Sequence, residues 1–578
     1  MKPTSTSGRK AAPAVPAKAA PAGTAKAAPT RPASNGASRP EGLGAPPPSE
    51  HSLAELVPAA AARDPEGIAA VAGRARITYA DLDRAVASLA DDLLDRGITP
   101  GRPIAVLAGT GIEFMVAAYA VLRAGAVLVP ISPTAPAPEV TGLLRAARVE
   151  MVLTDVEHEE VAWAAAIGYH ESCGAITLDL EAKRNKADRL ALSVLTNGRR
   201  PGPPPRLRAG SPAVILFTSG STARPKAVVH SHDGLFRNAL AVAWEMTALT
   251  NRDVMLGALP LAHSFGLSGV MNASMLVGAR IELLPRFDAK SAWKAIRNRG
   301  VTVATGVPTM FRRLVDDPDA SRHTDLRLAV VSGSSCPRDL ARDIRLRMGV
   351  HTVERYGMSE ASPLAWRVVV DDAPEGDVGW PGWGVHFRAV NDGGKDLGRG
   401  KVGELEVQSP SMLLRYLAAE DNQSGFDHGW LRTGDLGMVR EDGGVTLVAR
   451  LKDIILRGGY SVAASEVERA VQAHPWVAEA VVIGIPDPTV GEEIAAAVVL
   501  KPRRSGKPAE WEVVMELERH MGERLAPWKR PRLWRVVEEV PRTPLGKIKR
   551  DLLRHLWDVA GTPTSPGPRS PAEPERPA

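Results

Sequence analysis

The sequence predicts an α/β protein: a large N-terminal region of alternating strands and helices, then a small C-terminal α/β unit. Three observations predict it. The chain has 578 residues, too many for a single hydrophobic core. Its 44% hydrophobic and 24% charged content is ordinary for a soluble globular protein. From Leu53 to about Arg450, short β-type apolar runs alternate with amphipathic stretches, the pattern of parallel strands covered by helices.

Residues 1–50 stand apart, being rich in Ala, Pro, Ser, Thr and Gly with almost no large apolar side chain. Such a segment cannot bury enough surface to offset its chain entropy, so it is predicted to be disordered. Its seven cations and two acids supply five of the chain's net charge of +6, leaving a nearly neutral body. The cations are spread out with no aromatics between them, which favours a solvated spacer over a nucleic-acid or membrane contact. Its prolines forbid the amphipathic helix of a transit peptide.

Within residues 51–449, Pro103–Leu107 reads as a strand and Ile112–Arg123 as a helix. Ala126–Ile131 is a second strand, Ala137–Ala147 a helix and Glu150–Thr154 a third strand. A dinucleotide fingerprint at Gly109-Thr-Gly111 fails because Phe114 stands where the third glycine belongs. Lys183 to Arg208, basic and Pro-rich, reads as a surface connection. His230 and His232 form no metal pair with a recognisable third ligand and are read as structural. After Arg450 a compact unit follows: Ser465–Ala473 helical, Val477–Ile485 and Ala495–Leu500 strands, Trp511–Leu525 helical, Leu533–Val537 a strand. Residues 558–578 are again Pro/Ser/Glu-rich and predicted loose. No 18-residue apolar run predicts a membrane span. Two distant cysteines, Cys173 and Cys336, fit a reducing compartment, and the cytoplasm is expected.

The most informative stretch is Thr218-Ser-Gly-Ser-Thr-Ala-Arg-Pro-Lys226, directly after the apolar run Ala213–Phe217. A loop of hydroxyls and small residues exposes successive backbone N–H groups, and a closing lysine adds a compact cation. That arrangement suits a polyphosphate, although an ordinary surface loop has the same composition. The common P-loop needs a second glycine before its lysine, and here Pro225 stands there. Downstream lie Tyr356-Gly-Met-Ser-Glu360, Trp430-Leu-Arg-Thr-Gly-Asp435, Arg450-Leu-Lys-Asp453, Gly458-Gly459 and Pro541-Arg-Thr-Pro-Leu-Gly-Lys547. In this order and at these separations the set resembles the adenylate-forming superfamily of acyl-CoA synthetases, aryl-CoA ligases, peptide-synthetase adenylation domains and firefly luciferase. The resemblance runs from roughly Leu53 to Leu556.

The resemblance implies a large multi-subdomain adenylation domain and a small C-terminal domain, 454–557, that swings over it about a hinge at 450–453, with Lys452 as the hinge residue. It implies that Thr218, Ser219, Gly220, Ser221, Thr222 and Lys226 hold the β- and γ-phosphates of ATP, with Gly333, Ser334 and Gly357 also at the nucleotide. Glu360 would bind Mg²⁺, and Ser359 keeps the hydroxyl of the family's usual threonine. Tyr356 would stack on adenine, while Asp435 and Arg450 would bond the ribose. Lys547 would be the catalytic lysine of adenylation. On the acyl side, Pro260-Leu-Ala-His263-Ser-Phe-Gly266 holds His263 where amino-acid adenylation domains carry an aspartate for the substrate's ammonium. A histidine supplies no permanent negative charge, so a plain acyl or aryl acid is favoured over an α-amino acid. Ser264, Gly306, Val307, Met358 and Ala361 would wall that pocket. Trp366 and Trp383 would line a hydrophobic tail or belong to the core, and the core is favoured for Trp380. Gly459 would mark the entry of a pantetheine thiol. Lys529 and Arg530 would meet the acceptor's phosphates or form a solvated basic face.

Three positions depart from the family pattern. Ala223 stands in the phosphate loop where glycine is usual, Arg415 precedes Tyr416 where glycine is common, and Ala464-Ser465 replaces a proline-containing turn. The expected function is ATP-dependent activation of a carboxylic acid and transfer to CoA. Loading of a carrier protein's phosphopantetheine is the alternative, and a non-catalytic nucleotide-binding protein a more distant one.

Overall fold

A computed structural model of the chain describes residues 51–170, 173–179, 189–191, 195, 202, 206–218, 225–370, 374, 376–502, 508–542 and 548–558. The two predicted tails, most of Lys183–Arg208, and the loop positions Ser219, Gly220, Ser221, Thr222 and Ala223 lie outside them, as does Lys547. Among the described residues the strands form three sheets, of eight, fourteen and five strands.

The eight-stranded sheet is built as the alternation predicts. Pro103–Leu107 pairs in parallel with Val127–Ile131 on one side and Met151–Asp155 on the other. The covering helix Ile112–Arg123 is buried along nearly its whole length, so it reads apolar all round. Pro212–Thr218 joins Val127–Ile131 in parallel and then turns back antiparallel into Lys226–Ser231. Arg415–Tyr416 returns from far along the chain to pair with Val228 and Val229 at that edge.

The fourteen-stranded sheet begins in the same style, with Arg280–Leu283, Val254–Gly257, Val303–Gly306, Leu328–Ser332 and His351–Tyr356 parallel in that order. Beyond Tyr356 the expected alternation up to Arg450 ends. Ala365–Val368, Asp377–Pro381, Val445–Arg450, Trp430–Val439, Gly403–Gln408 and His386–Val390 continue the same sheet, all antiparallel. Trp430–Val439 turns directly into Val445–Arg450, a connection short enough to permit only antiparallel pairing. Two π-helical stretches, Ala241–Met246 and Phe265–Asn272, also escape a helix-or-strand reading; such widened turns recur at functional sites.

The five-stranded sheet lies wholly within residues 454–536, with its own core around Val467, Val482, Ala496 and Leu517. Its predicted elements appear within a few residues of the expected ends: helix Ala464–Gln472, strands Val477–Asp487 and Gly491–Leu500, helix Glu510–Gly522 and strand Leu533–Val536. Among the described residues no helix is long and apolar enough to cross a membrane.

Candidate active site

The parallel strands Val303–Gly306, Leu328–Ser332 and His351–Tyr356 end side by side, with Gly306 opposite Val331 and Ser332 opposite Arg355. That register brings Gly306, Val307, Ser332, Gly333 and Tyr356 to one edge of the sheet. The Ser332 hydroxyl donates to the Arg355 carbonyl across 3.1 Å. Gly333 turns at φ +90°, and a Cβ there would lie 3.2 Å from the Val307 side chain; glycine takes this φ without strain. Ser334 follows, exposed.

Past Tyr356 the chain makes a tight loop, with the Met358 N–H on the Ala361 carbonyl at 2.9 Å and the reverse bond at 3.3 Å. Gly357 has no room for a side chain, because a Cβ would come within 2.5 Å of the Ser362 hydroxyl. The loop is held from outside by His230, whose Nε2–H donates to the Ser359 carbonyl at 2.7 Å. Burial pushes the His230 pKa down to about 4, so the ring is neutral. His230 is thus structural, as expected, and what it supports is the Ser359–Glu360 segment.

Glu360 is buried, and burial raises its pKa. The Tyr416 hydroxyl donates to Glu360 Oε1 at 3.2 Å. Lys226, at the start of its strand, places Nζ 5.2 Å from the centroid of the same Tyr416 ring and 3.1 Å from Asp421 Oδ1. Tyr416 is pinned by Asn422, whose side chain accepts from its N–H at 2.8 Å and donates to its carbonyl at 2.9 Å. Thr218, opposite Lys226 in the hairpin, marks the other end of the loop.

A second constellation lies on the antiparallel strands. Asp435 and Arg450 are cross-strand partners, and Arg450 Nε stands 2.7 Å from Asp435 Oδ1. The Tyr356 hydroxyl donates to Asp435 Oδ2 at 2.5 Å. Burial raises the Asp435 pKa, and the Arg450 cation opposes the shift. Tyr356 itself is buried, so it anchors Asp435 whether or not its ring also meets adenine.

On the side expected to hold the acyl group, the Leu267 N–H donates to the His263 carbonyl at 2.8 Å, in the turn leading into the π-helix Phe265–Asn272. Gly266 is obligatory, since a Cβ would come within 2.1 Å of the Pro260 carbonyl. Phe265 lies under the Arg355 guanidinium, 4.7 Å from ring centroid to Cζ. Ala361 is fully buried, and Met358 is half-buried against the core. Trp366 donates to Glu245 Oε1 at 3.3 Å, and Trp383 is exposed. Trp380 is half-buried beneath the Arg440 guanidinium instead of lying in the core.

Lys452 sits in a single 3-10 turn, Leu451–Asp453, and Arg550 reaches Asp453 at 3.4 Å. Gly458 and Gly459 have φ of +57° and +82° and form the two-residue turn between the paired strands Ile454–Arg457 and Tyr460–Ala463, which demands left-handed conformations. Lys529 Nζ bonds both oxygens of Glu466, at 2.7 and 2.9 Å. Arg530 donates to the Leu525 and Gly522 carbonyls. Both cations therefore have protein partners in this conformation.

Residues 57–417 match the family model described as AMP-binding enzyme, and residues 466–547 match that of the AMP-binding enzyme C-terminal domain. The chain belongs to the AMP-binding enzyme family. It is an ATP-using acid–thiol ligase of the acyl-CoA synthetase type. Among relatives of this AMP-binding enzyme, the sulfoacetate–CoA ligase of Cupriavidus necator is 33% identical, covering 63% of this chain and 71% of that one. The salicyl-AMP ligase / salicyl-S-ArCP synthetase of Mycobacterium tuberculosis is 32% identical, covering 85% and 88%. The crystal structure of ATP-bound MatB from Rhodopseudomonas palustris superposes with a TM-score of 0.78 at 29% identity, covering 88% of this chain and 99% of that one.

Sequence reasoning about this AMP-binding enzyme missed three side chains. Tyr416 had drawn notice only through the arginine before it, His230 only as a discarded metal ligand, and Arg355 not at all. The one local signal for Arg355 is a cation directly before the Tyr-Gly pair, in a strand otherwise destined for burial.

Proposed function

We propose that this enzyme joins a carboxylic acid to the thiol of CoA in two steps, through a bound acyl-adenylate. In the first, a carboxylate oxygen of the acid attacks the α-phosphorus of ATP and pyrophosphate leaves. In the second, the thiolate attacks the acyl carbonyl and AMP leaves. The observation that carries the reading is the Asp435–Arg450–Tyr356 constellation: a buried carboxylate held by a guanidinium and a phenol hydroxyl, a group suited to accept from ribose hydroxyls.

Lys226 is placed by Tyr416 and Asp421 at the mouth of the phosphate loop, where a cation opposes the charge of the β- and γ-phosphates. Glu360 suits Mg²⁺, which takes oxygen ligands and is usually held by one or two carboxylates plus substrate phosphates; among the described residues no larger acidic or histidine cluster exists. When bound there, Mg²⁺ would neutralise charge on phosphate oxygens. The rest of the first step is positioning. Lys547 brings a further cation to the α-phosphate once the small domain, 454–557, turns over the large one, 51–449, about residues 450–453. After a second rotation the Gly458-Gly459 turn lines the thiol's approach. Two buried free cysteines suit a reducing compartment, and the cytoplasm is the expected one.

The salicyl-S-ArCP synthetase likeness favours a second reading of the acceptor, a carrier protein's phosphopantetheine arm. Pyrophosphate release across short, medium, long-chain and aromatic acids tests the first step. Free CoA against a panel of carrier proteins tests the second. If no acid releases pyrophosphate, the ligase reading is overturned.

A further inference from the structure

Arg355 closes the strand His351–Tyr356 one residue before the tyrosine that anchors Asp435. It is only 4% exposed. Its Nη2 donates to the Ser362 hydroxyl, and its plane lies over the Phe265 ring. Nε and Nη1 have no partner among the described residues. Glu354, its neighbour in the strand, and Asp377 are engaged by Arg367 instead, at 2.7 and 3.5 Å. Glu354, adjacent in the strand, points to the opposite face.

Burial lowers the Arg355 pKa to about 10 with no acid opposing the shift, so the group remains a cation at neutral pH. A buried guanidinium that satisfies carbonyls on every side would be an ordinary core arginine. This one leaves most of its donor fork unused, and an uncompensated buried charge is costly. Its surroundings belong to the acyl side. Phe265 lies in the His263–Gly266 stretch, and Ser362 directly follows Ala361. The π-helix passes close with Gly269, where a Cβ would stand 2.9 Å from Arg355 Nη1 and 2.6 Å from the Phe265 ring. Any larger residue there would close the space beside the guanidinium.

We propose that the acid this enzyme activates carries a second anionic group, a carboxylate or sulfonate, which Arg355 binds at the inner end of the acyl pocket. The inference rests on the ligase reading and departs from the plain acyl or aryl acid that the sequence favours. An anionic group supplies what the buried fork lacks, two acceptors in one plane. The small walls Gly306 and Ala361 argue for a short acid.

The full-length chain with ATP and Mg²⁺ tests it, by pyrophosphate release with malonate, succinate, glutarate and sulfoacetate against propanoate, butyrate and pentanoate. The dianions are expected to exceed their size-matched monoanions by roughly a hundredfold in kcat/KM. Comparing malonate with sulfoacetate separates carboxylate from sulfonate. In Arg355→Met the dianion-to-monoanion ratio should fall at least tenfold, and Arg355→Lys should restore part of it. Should either variant fail to fold, the selectivity of the parent enzyme still decides. Equal or better turnover of monoanionic or aromatic acids overturns the inference and leaves the ligase reading intact, as does an unchanged ratio in a folded Arg355→Met. Pyrophosphate release with no acid of any kind overturns both.

Discussion

The Tyr416 hydroxyl lies 3.2 Å from Glu360 Oε1, in a side chain only 3% exposed that also carries Lys226 on its ring face. One aromatic side chain thus couples Lys226, proposed for the phosphates, to Glu360, the carboxylate proposed for Mg²⁺. The coupling exists because Arg415–Tyr416 pairs with Val228 and Val229, just inside the strand that Lys226 begins.

Tyr416→Phe keeps the ring and removes the hydroxyl. A hydrogen bond to a charged group contributes about 1.5–3 kcal/mol, so adenylation should drop roughly 10- to 100-fold, with a higher half-saturating Mg²⁺ concentration. A purely structural tyrosine would alter stability and leave the Mg²⁺ dependence where it was. Titrating Mg²⁺ in both proteins distinguishes the two.

Lys547→Ala should lose acid-dependent pyrophosphate release by several orders of magnitude, since it removes a cation from developing charge. Transfer of a supplied acyl-adenylate to the thiol should survive. Equal loss in both half-reactions would make the lysine structural and end the two-conformation account.

A pH effect follows from Glu113, in the first turn of the helix Ile112–Arg123. Burial raises its pKa from 4.5 to about 7, with the Asp155 charge adding to the shift. Between those two values the native state binds more protons than the unfolded chain, so stability falls as pH rises through the window and stays lowered above it. Glu113→Gln removes this dependence. Its stability relative to the parent should rise from pH 4.5 to 7, by up to roughly 3 kcal/mol, readable as a growing difference in Tm. Parallel Tm curves for parent and variant would show that the carboxyl titrates normally.

Ala223 occupies a position where the family usually has glycine. If phosphate binding requires positive φ there, alanine costs about 1 kcal/mol, roughly fivefold in rate or nucleotide affinity. Ala223→Gly is then expected to raise adenylation several-fold or lower the KM for ATP, with little effect on thioester transfer. Unchanged kinetics in a fully active parent would mean that residue 223 keeps an ordinary negative φ.

What the amino-acid order determined by itself is local or ordered along the chain. The apolar runs set the helices Ile112–Arg123 and Ala137–Ala147, because burial on all or one face is written into residue spacing. The Gly458-Gly459 pair set a hairpin turn, because only glycine takes two consecutive left-handed conformations cheaply. The sequential motifs from Thr218 to Lys547 named the family and proposed Glu360, Asp435 and Arg450 for the nucleotide. Tertiary structure alone decided which side chains those groups would meet. His230 finds the Ser359 carbonyl, Tyr416 finds Glu360, and Phe265 lies under Arg355. Each pair is joined by sheet register or helix approach between distant segments, and no local periodicity encodes such a register. The unused donors of Arg355 belong to the same class. An arginine in a strand looks alike on paper whether carbonyls or nothing await it, and only the packed interior shows which donors were left unanswered.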